Sequence, residues 1–175
     1  KKSRGLKKTS TIYQLFWGQW FEDYDPPIMD EFDYALKDED DINYTQLCIM
    51  DTVGQEEFWM WTEKQIRKCD GFILMYSITS HDSFDEAQLL YEKISRIKEY
   101  EMAGFDLILV GNKIDLERER QIAPMEPQKL AQEWDVPHFE QSAKNINEVR
   151  RTFQLMVDQM KKGDEEIEVE TTNNN

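Results

Sequence analysis

The sequence has 175 residues, of which 39% are apolar, and a formal net charge of −15. This length fits one domain with a real core, and the charge excludes a general binder of nucleic acid or anionic membrane, because phosphate groups repel it. The two cysteines, Cys48 and Cys69, are too few for a disulfide framework and favour a reducing, cytoplasmic setting, and no apolar run is long enough to span a membrane.

Hydrophobic spacing and breaking residues predict, in chain order, helix Thr9–Phe21, strands Phe32–Leu36 and Tyr44–Met50, helix Glu63–Cys69, strand Gly71–Ile78, helix Ser83–Tyr100, strand Leu107–Gly111, helix Pro127–Trp134, strand His138–Gln141 and helix Asn147–Lys162. Strands alternate with helices, and several strands are apolar throughout, as in sheets covered on both faces. We therefore predict an α/β fold over residues 1–162, with a mostly parallel sheet and helices on both faces. Residues 163–175 carry five acids and no base, which predicts a disordered tail.

Polar motifs follow three of these strands: DTVGQEE at residues 51–57, VGNKID at 110–115 and QSAK at 141–144. Together with YDPPI at 24–28, YSIT at 76–79 and SFDE at 83–86, they resemble the motifs of the Ras family of small GTPases, in family order. The resemblance covers roughly residues 5–160. It implies a P-loop NTPase-like G domain that binds GTP and GDP with Mg²⁺ and hydrolyses GTP to GDP and phosphate.

The resemblance assigns contacts with the guanine base to two loops: Asn112, Lys113, Asp115, Ser142, Ala143 and Lys144. The Asp115 carboxylate would accept bonds from the ring and exocyclic N–H groups of guanine, a paired donor edge that adenine lacks. The Ala143 N–H would meet the guanine carbonyl oxygen. For Asn112 and Asp115 the alternative is a turn and helix cap after a strand. Trp20 either stacks on the base or lies in the core.

The resemblance also implies a magnesium site and a catalytic residue. Thr9 and Asp51 supply the oxygen ligands that Mg²⁺ prefers. Gly54 would give its N–H to the terminal phosphate, and Gln55 would orient the attacking water, unless it is simply an exposed loop glutamine. The loop aromatics Trp59-Met60-Trp61 either contact another protein or fold back onto the sheet.

The phosphate loop departs from the family pattern. By resemblance the phosphates are held by a run at the start of the first helix: Gly5, Leu6, Lys7, Lys8, Thr9 and Ser10. Lys8 and Thr9 match the G-x-x-x-x-G-K-[ST] motif, but Lys2 and Lys7 replace its two glycines. A side chain there obstructs the tight turn, although the five bases within residues 1–8 offer positive charge.

Three further substitutions predict impaired hydrolysis and an impaired switch. By resemblance, Arg4 takes a position that is usually glycine in Ras itself, where a bulky residue is expected to obstruct the attacking water and the activating protein's arginine. Val53 replaces the usual alanine beside the phosphate-sensing glycine, and Pro27 replaces a magnesium-binding threonine. Two interpretations remain: a guanine-nucleotide switch with weak activity, or a pseudo-GTPase that serves as a protein-interaction module with little or no nucleotide binding. An adenine-nucleotide kinase is disfavoured by Asp115.

The implied partners are effector, exchange-factor and activating proteins of Ras type. The effector contacts would fall on four residues of the acidic stretch after the first helix: Tyr24, Asp25, Ile28 and Asp30. No cysteine follows Cys69, so no lipid anchor is expected in this chain, and a monomer is expected. The family's first central strand should precede Lys1, so the sheet is expected to lack its middle strand.

Overall fold

The computed structural model describes the backbone of residues 8–18, 30–37, 43–51, 59–101 and 104–173. Its elements are helix α1 (Lys8–Trp17), strands β1 (Asp30–Lys37) and β2 (Tyr44–Asp51), helix α2 (Trp59–Lys68), strand β3 (Gly71–Ser77), helix α3 (His81–Glu101), strand β4 (Asp106–Asn112), a 3₁₀ helix (Ile114–Glu119), helix α4 (Met125–Trp134), strand β5 (His138–Gln141) and helix α5 (Ile146–Asn173). The alternation of strands and helices confirms the predicted α/β class.

The strands form two sheets. Strands β3, β4 and β5 pair in parallel in that order, with Tyr76 opposite Gly111 and Gly111 opposite Glu140. Strands β1 and β2 form an antiparallel pair in which Asp33 lies opposite Cys48. Parallel strands need crossover connections, which α3 and α4 supply, so the parallel part of the prediction is confirmed.

Alternate side chains of the parallel strands enter cores on opposite faces of the sheet. Leu74 and Leu109 pack with residues of α2, α3 and α4. Met75 and Val110 point the other way and pack against Met156 of α5. Because successive strand residues face opposite sides, continuous apolar runs are what this double coverage requires.

A third core attaches the β1–β2 pair to the rest of the chain. It joins Ile12 and Leu15 of α1 to Leu36 of β1 and to Val149 and Phe153 of α5. Apolar residues on one stripe of each helix make this possible. The core therefore attaches α1 and the β1–β2 pair to α5.

Three element boundaries differ from the prediction. Helix α1 ends at Trp17 rather than Phe21, because Gly18 adopts a left-handed conformation (φ 62°) and its N–H caps the Gln14 carbonyl. Helix α2 begins at Trp59, so residues 59–61 are helical rather than in a loop. Helix α5 continues to Asn173 through the predicted disordered tail; glutamates are good helix formers, and extending a helix needs no new nucleus.

Within the described part of the chain, no helix is both long enough and apolar enough to cross a membrane.

Candidate functional site

The carboxyl ends of β2, β4 and β5 carry the polar residues that the sequence singles out. Asp51 ends β2, Asn112 ends β4, and Ser142 directly follows β5. Helix α1 reaches the same edge, since Gln14 Nε2 donates a 3.3 Å hydrogen bond to the Lys144 carbonyl. The two predicted loops and the second half of α1 are therefore brought together, at the edge where parallel sheets usually bind ligands.

Asn112 links the loop after β4 to the loop after β5. Its side chain is buried, and Oδ1 accepts hydrogen bonds from the Lys113 N–H (2.8 Å) and the Ala143 N–H (3.0 Å). Lys113 holds a left-handed conformation (φ 71°) that turns the chain into the 3₁₀ helix. Asn112 thus serves as the predicted turn residue. The Ala143 N–H already donates to Asn112, so to reach a guanine oxygen it would have to donate to both oxygens or leave Asn112.

Asp115 is the charged centre of the site. One carboxylate oxygen accepts a 2.7 Å bond from Ser142 Oγ, and the other lies 2.7 Å from Lys144 Nζ. Burial alone would raise the pKa of Asp115, but the bonds from Lys144 and Ser142 outweigh it and lower the pKa. The side chain is 28% exposed, so the ionised carboxylate remains accessible to a ligand that offers two N–H donors.

Glu148, in the first turn of α5, holds the loop that contains Ser142, Ala143 and Lys144. One oxygen accepts the Ser142 N–H (2.6 Å), and the other accepts a bond from Asn145 Nδ2 (2.9 Å). Asn145 also caps the helix by accepting the Asn147 N–H. This support was not predicted, although Asn-x-x-Glu at the start of a helix is the spacing of a capping box.

A second set of residues supports the loops from behind the sheet. The Tyr76 hydroxyl lies 3.0 Å from His138 Nε2, and a Cβ added to Gly111 would meet the tyrosine oxygen at 2.6 Å. Arg120 pairs with Glu140 at 2.6 Å, across from that glycine. Burial raises the pKa of Tyr76 and lowers that of His138. These contacts join distant segments, and no local sequence signal indicates them.

Thr9 and Asp51, the two predicted magnesium ligands, meet in the structure. The Thr9 hydroxyl, in the first turn of α1, donates a hydrogen bond to the Asp51 carboxylate at the end of β2. Ser10, the next residue, is buried in α1. A hydroxyl and a carboxylate in direct contact are hard oxygen donors that one small divalent cation could share, so these residues fit Mg²⁺.

Several predicted site residues lie outside the described residues: Gly5, Leu6, Lys7, Trp20, Tyr24, Asp25, Ile28, Gly54 and Gln55. The substituted positions Lys2, Arg4, Pro27 and Val53 lie outside them as well. Lys8 begins α1 and Asp30 begins β1, and only their backbone is described.

Comparison with known proteins gives consistent matches over nearly the whole chain. The model of the Ras family matches residues 3–162. The chain is 35% identical to Ras-like protein 2 of Mucor circinelloides f. lusitanicus over 162 residues. This alignment covers 93% of this chain and 80% of that protein. The chain is 34% identical to Protein ras-1 of Neurospora crassa over 163 residues. This alignment covers 93% of this chain and 75% of that protein.

Proposed function

The chain belongs to the Ras family of small GTPases, and from that premise we propose that it binds GDP and GTP with guanine specificity and hydrolyses GTP weakly. The observation that carries the proposal is the pairing of Asp115 with the loop after β5. Its carboxylate is ionised, partly exposed and held by Ser142 Oγ at 2.7 Å. A carboxylate fixed in this way discriminates between bases, because a base without two adjacent donors leaves it unsatisfied.

In the proposed complex, the nucleobase N–H groups replace the Lys144 ammonium at Asp115. Lys144 is 52% exposed, so its ion pair is screened by water and is worth about 1 kcal/mol or less. Lys113 can lay its methylene stem along the base plane, while Lys144 supports the loop after β5. Asn112, Lys113 and Ala143 complete the contacts, with Asn112 retaining the turn.

Thr9 and Asp51 would hold Mg²⁺ beside the phosphates, where the ion neutralises negative charge on the phosphate oxygens. Lys8 begins α1, and the family resemblance implies that its ammonium joins the helix N-terminus in holding an anion. Gly5, Leu6, Lys7 and Ser10 belong to the same proposed phosphate site.

The test is a titration of the full chain with a fluorescent GDP analogue in the presence of Mg²⁺. We expect saturable binding that GTP displaces and ATP does not, and weaker binding after Mg²⁺ is chelated. Thr9→Val, which keeps the shape but removes the hydroxyl, should lose the Mg²⁺ dependence, and Thr9→Ser should retain it. Equal displacement by ATP and GTP would contradict guanine specificity.

Weak hydrolysis is the finer part of the proposal. Gln55 would orient the attacking water, while Arg4 obstructs it and Pro27 lacks the hydroxyl that would sense the terminal phosphate. In single-turnover assays, Gln55→Leu should slow the residual reaction, and Pro27→Thr should speed it. A wild-type rate that Pro27→Thr leaves unchanged would count against this explanation.

A second candidate function, a pseudo-GTPase that binds proteins, is favoured by one observation. The base-reading loops bond to one another, since Ala143 donates to Asn112 and Lys144 pairs with Asp115. In that case the fold serves as a rigid interaction module. Absence of analogue binding at micromolar concentration, with the chain folded by circular dichroism, would support this candidate over the first.

The proposed partners are effector, exchange-factor and activating proteins. The effector contacts would involve Tyr24, Asp25, Ile28 and Asp30, the last of which opens strand β1. We also propose that the protein is a monomer in the cytoplasm. The two cysteines are free in the structure, which suits a reducing compartment. Binding of a candidate effector that depends on GTP over GDP, and that Asp25→Ala abolishes, would test the effector assignment.

A further inference from the structure

The loop after β5 is closed onto helix α5 at both of its ends. The Asn145 N–H donates to the Ser142 carbonyl at 2.9 Å, and the Asn145 carbonyl accepts the Val149 N–H at 3.1 Å. The Glu148 carboxylate joins the same two ends, because it accepts the Ser142 N–H at 2.6 Å and a bond from the Asn145 side chain at 2.9 Å. One side chain of the helix therefore sets the position of Ser142.

Ser142 carries this support on to Asp115. Its hydroxyl accepts a bond from the Lys144 N–H at 3.3 Å and donates to the Asp115 carboxylate at 2.7 Å. A hydroxyl has one proton to donate, and here that proton goes to Asp115. Ser142 is 6% exposed, so water has little access to this bond. Glu148 is thus connected to Asp115 through a single residue.

The bond from Ser142 matters most when a base is bound. In the proposed complex the nucleobase N–H groups replace the ammonium of Lys144, which is 52% exposed, whereas the Ser142 hydroxyl stays on the carboxylate. Two parallel bonds to a base require one orientation of the carboxylate. The bond that Ser142 retains fixes that orientation, so a shift of Ser142 would turn Asp115 away from one of the two donors.

We propose, on the basis of the proposed function, that Glu148 is a positioning residue for guanine recognition. By holding Ser142, it keeps the Asp115 carboxylate aligned with both N–H groups of the base. This role differs from capping of α5, for which a negative charge in the first turn is sufficient. Positioning also requires reach, since the carboxylate bonds to a backbone N–H six residues earlier in the chain.

The experiment measures how strongly the full chain prefers GDP to inosine diphosphate, which keeps the ring N–H of guanine but lacks the exocyclic amino group. Both compete with a fluorescent GDP analogue. The wild type should prefer GDP by roughly 10- to 150-fold, the contribution of one hydrogen bond to a charged group. Glu148→Ala should lower this preference by at least about twofold, the lower limit of coupling within one hydrogen-bond network.

Glu126→Ala is the matched control. Glu126 lies in the first turn of α4 and accepts the Ala123 N–H at 2.9 Å, so its bond to the backbone is of the same kind. Its loss should leave the preference for GDP unchanged. Urea denaturation of both variants measures stability, and a Glu148→Ala chain that loses stability but keeps the wild-type preference would assign Glu148 to the helix cap alone.

Three further variants separate positioning from capping. Glu148→Gln keeps the length of the side chain and an oxygen for the Ser142 N–H, so it should keep most of the preference, although its NH₂ group cannot accept from Asn145. Glu148→Asp keeps the charge but is one methylene shorter, so it should lose as much as Glu148→Ala. In a Ser142→Ala background, which lacks the link to Asp115, Glu148→Ala should have no further effect on the preference.

Failure of this positioning role can be told apart from failure of the proposed function. A wild-type chain that binds neither diphosphate, or binds both equally, refutes the two together. A chain that prefers GDP, and keeps that preference in Glu148→Ala, refutes the positioning role alone. So does a preference that Glu148→Asp keeps and Glu148→Gln loses, a comparison that holds even where Glu148→Ala does not fold.

Discussion

Replacing Asp115 by asparagine should change which base the protein prefers. The side chain keeps its shape and its amide oxygen can still accept one guanine N–H, but its NH₂ group now faces the other N–H, donor against donor. A hydrogen bond to a charged group contributes about 1.5–3 kcal/mol, so losing one of the two costs about that much. That loss corresponds to a roughly 10- to 150-fold weaker affinity for GDP. Xanthine has a carbonyl where guanine has its amino group, so it can accept from the new amide.

The same substitution should leave the fold almost intact. Asp115 pairs with Lys144 at a site where both side chains are partly exposed, and such pairs contribute about 1 kcal/mol or less. The assay compares GDP with xanthosine diphosphate as competitors of the fluorescent GDP analogue, and urea denaturation checks stability. Asp135→Asn is the matched control, because Asp135 holds a left-handed cap that asparagine also tolerates. If Asp115→Asn keeps the wild-type preference, the assigned contact is wrong.

Three further predictions concern the residues behind the site. Gly111→Ala should lower the free energy of unfolding by about 1–3 kcal/mol, because the new methyl group would stand 2.6 Å from the Tyr76 oxygen. Arg120→Ala should cost about 2 kcal/mol, since it leaves Glu140 in a largely buried position without its 2.6 Å partner. His138→Gln should flatten the pH dependence of stability between about pH 5 and 7. Burial lowers the pKa of His138 in the folded wild type, so the unfolded chain takes up a proton at higher pH than the folded chain does. The stability of the wild type therefore falls as the pH drops through this range.

The first two of these predictions have a matched control, and each of the three has a contradicting result. Gly104→Ala has no atom within 4 Å of the new methyl group, and equal losses at the two glycines would contradict the clash. Arg67→Ala breaks an exposed ion pair with Glu63 and should lower the free energy of unfolding by less than about 1 kcal/mol. A loss as large as that of Arg120→Ala would contradict the claim that burial makes the Arg120–Glu140 pair costly to break. A His138→Gln profile identical to wild type would exclude that histidine as the source of the pH dependence.

The continuous apolar runs predicted strands β3 and β4, and their coverage by helices on both faces follows from the same residues. Periodicity placed α3 and α5, because their apolar stripes repeat near every 3.6 residues. The end of α1 was missed, although Gly18 after Trp17 is a recognisable helix stop. Boundaries depend on the conformation of one or two residues, which a pattern averaged over many residues does not specify.

In the candidate site, too, some residues could be predicted from the sequence, whereas the contacts between distant elements could not. Asp115 and Ser142 were predicted from short motifs, and the structure joins them at 2.7 Å. The contact of Tyr76 with His138 spans 62 positions and depends on the register of β3, β4 and β5. The contact of Met50 with Cys69 likewise depends on how α2 returns to the edge of β2. Contacts of this kind are set by packing between elements, so neither spacing nor composition indicates them.

The most direct measurement is the nucleotide content of the chain as purified without added nucleotide. The protein is denatured, and the released small molecules are separated by ion-exchange chromatography and identified by mass spectrometry. Guanine-nucleotide binding through Asp115 and its supporting loops predicts close to one GDP or GTP per chain, and no adenine nucleotide. A folded chain that releases no guanine nucleotide, and that takes up no fluorescent GDP at micromolar concentration, would contradict that function.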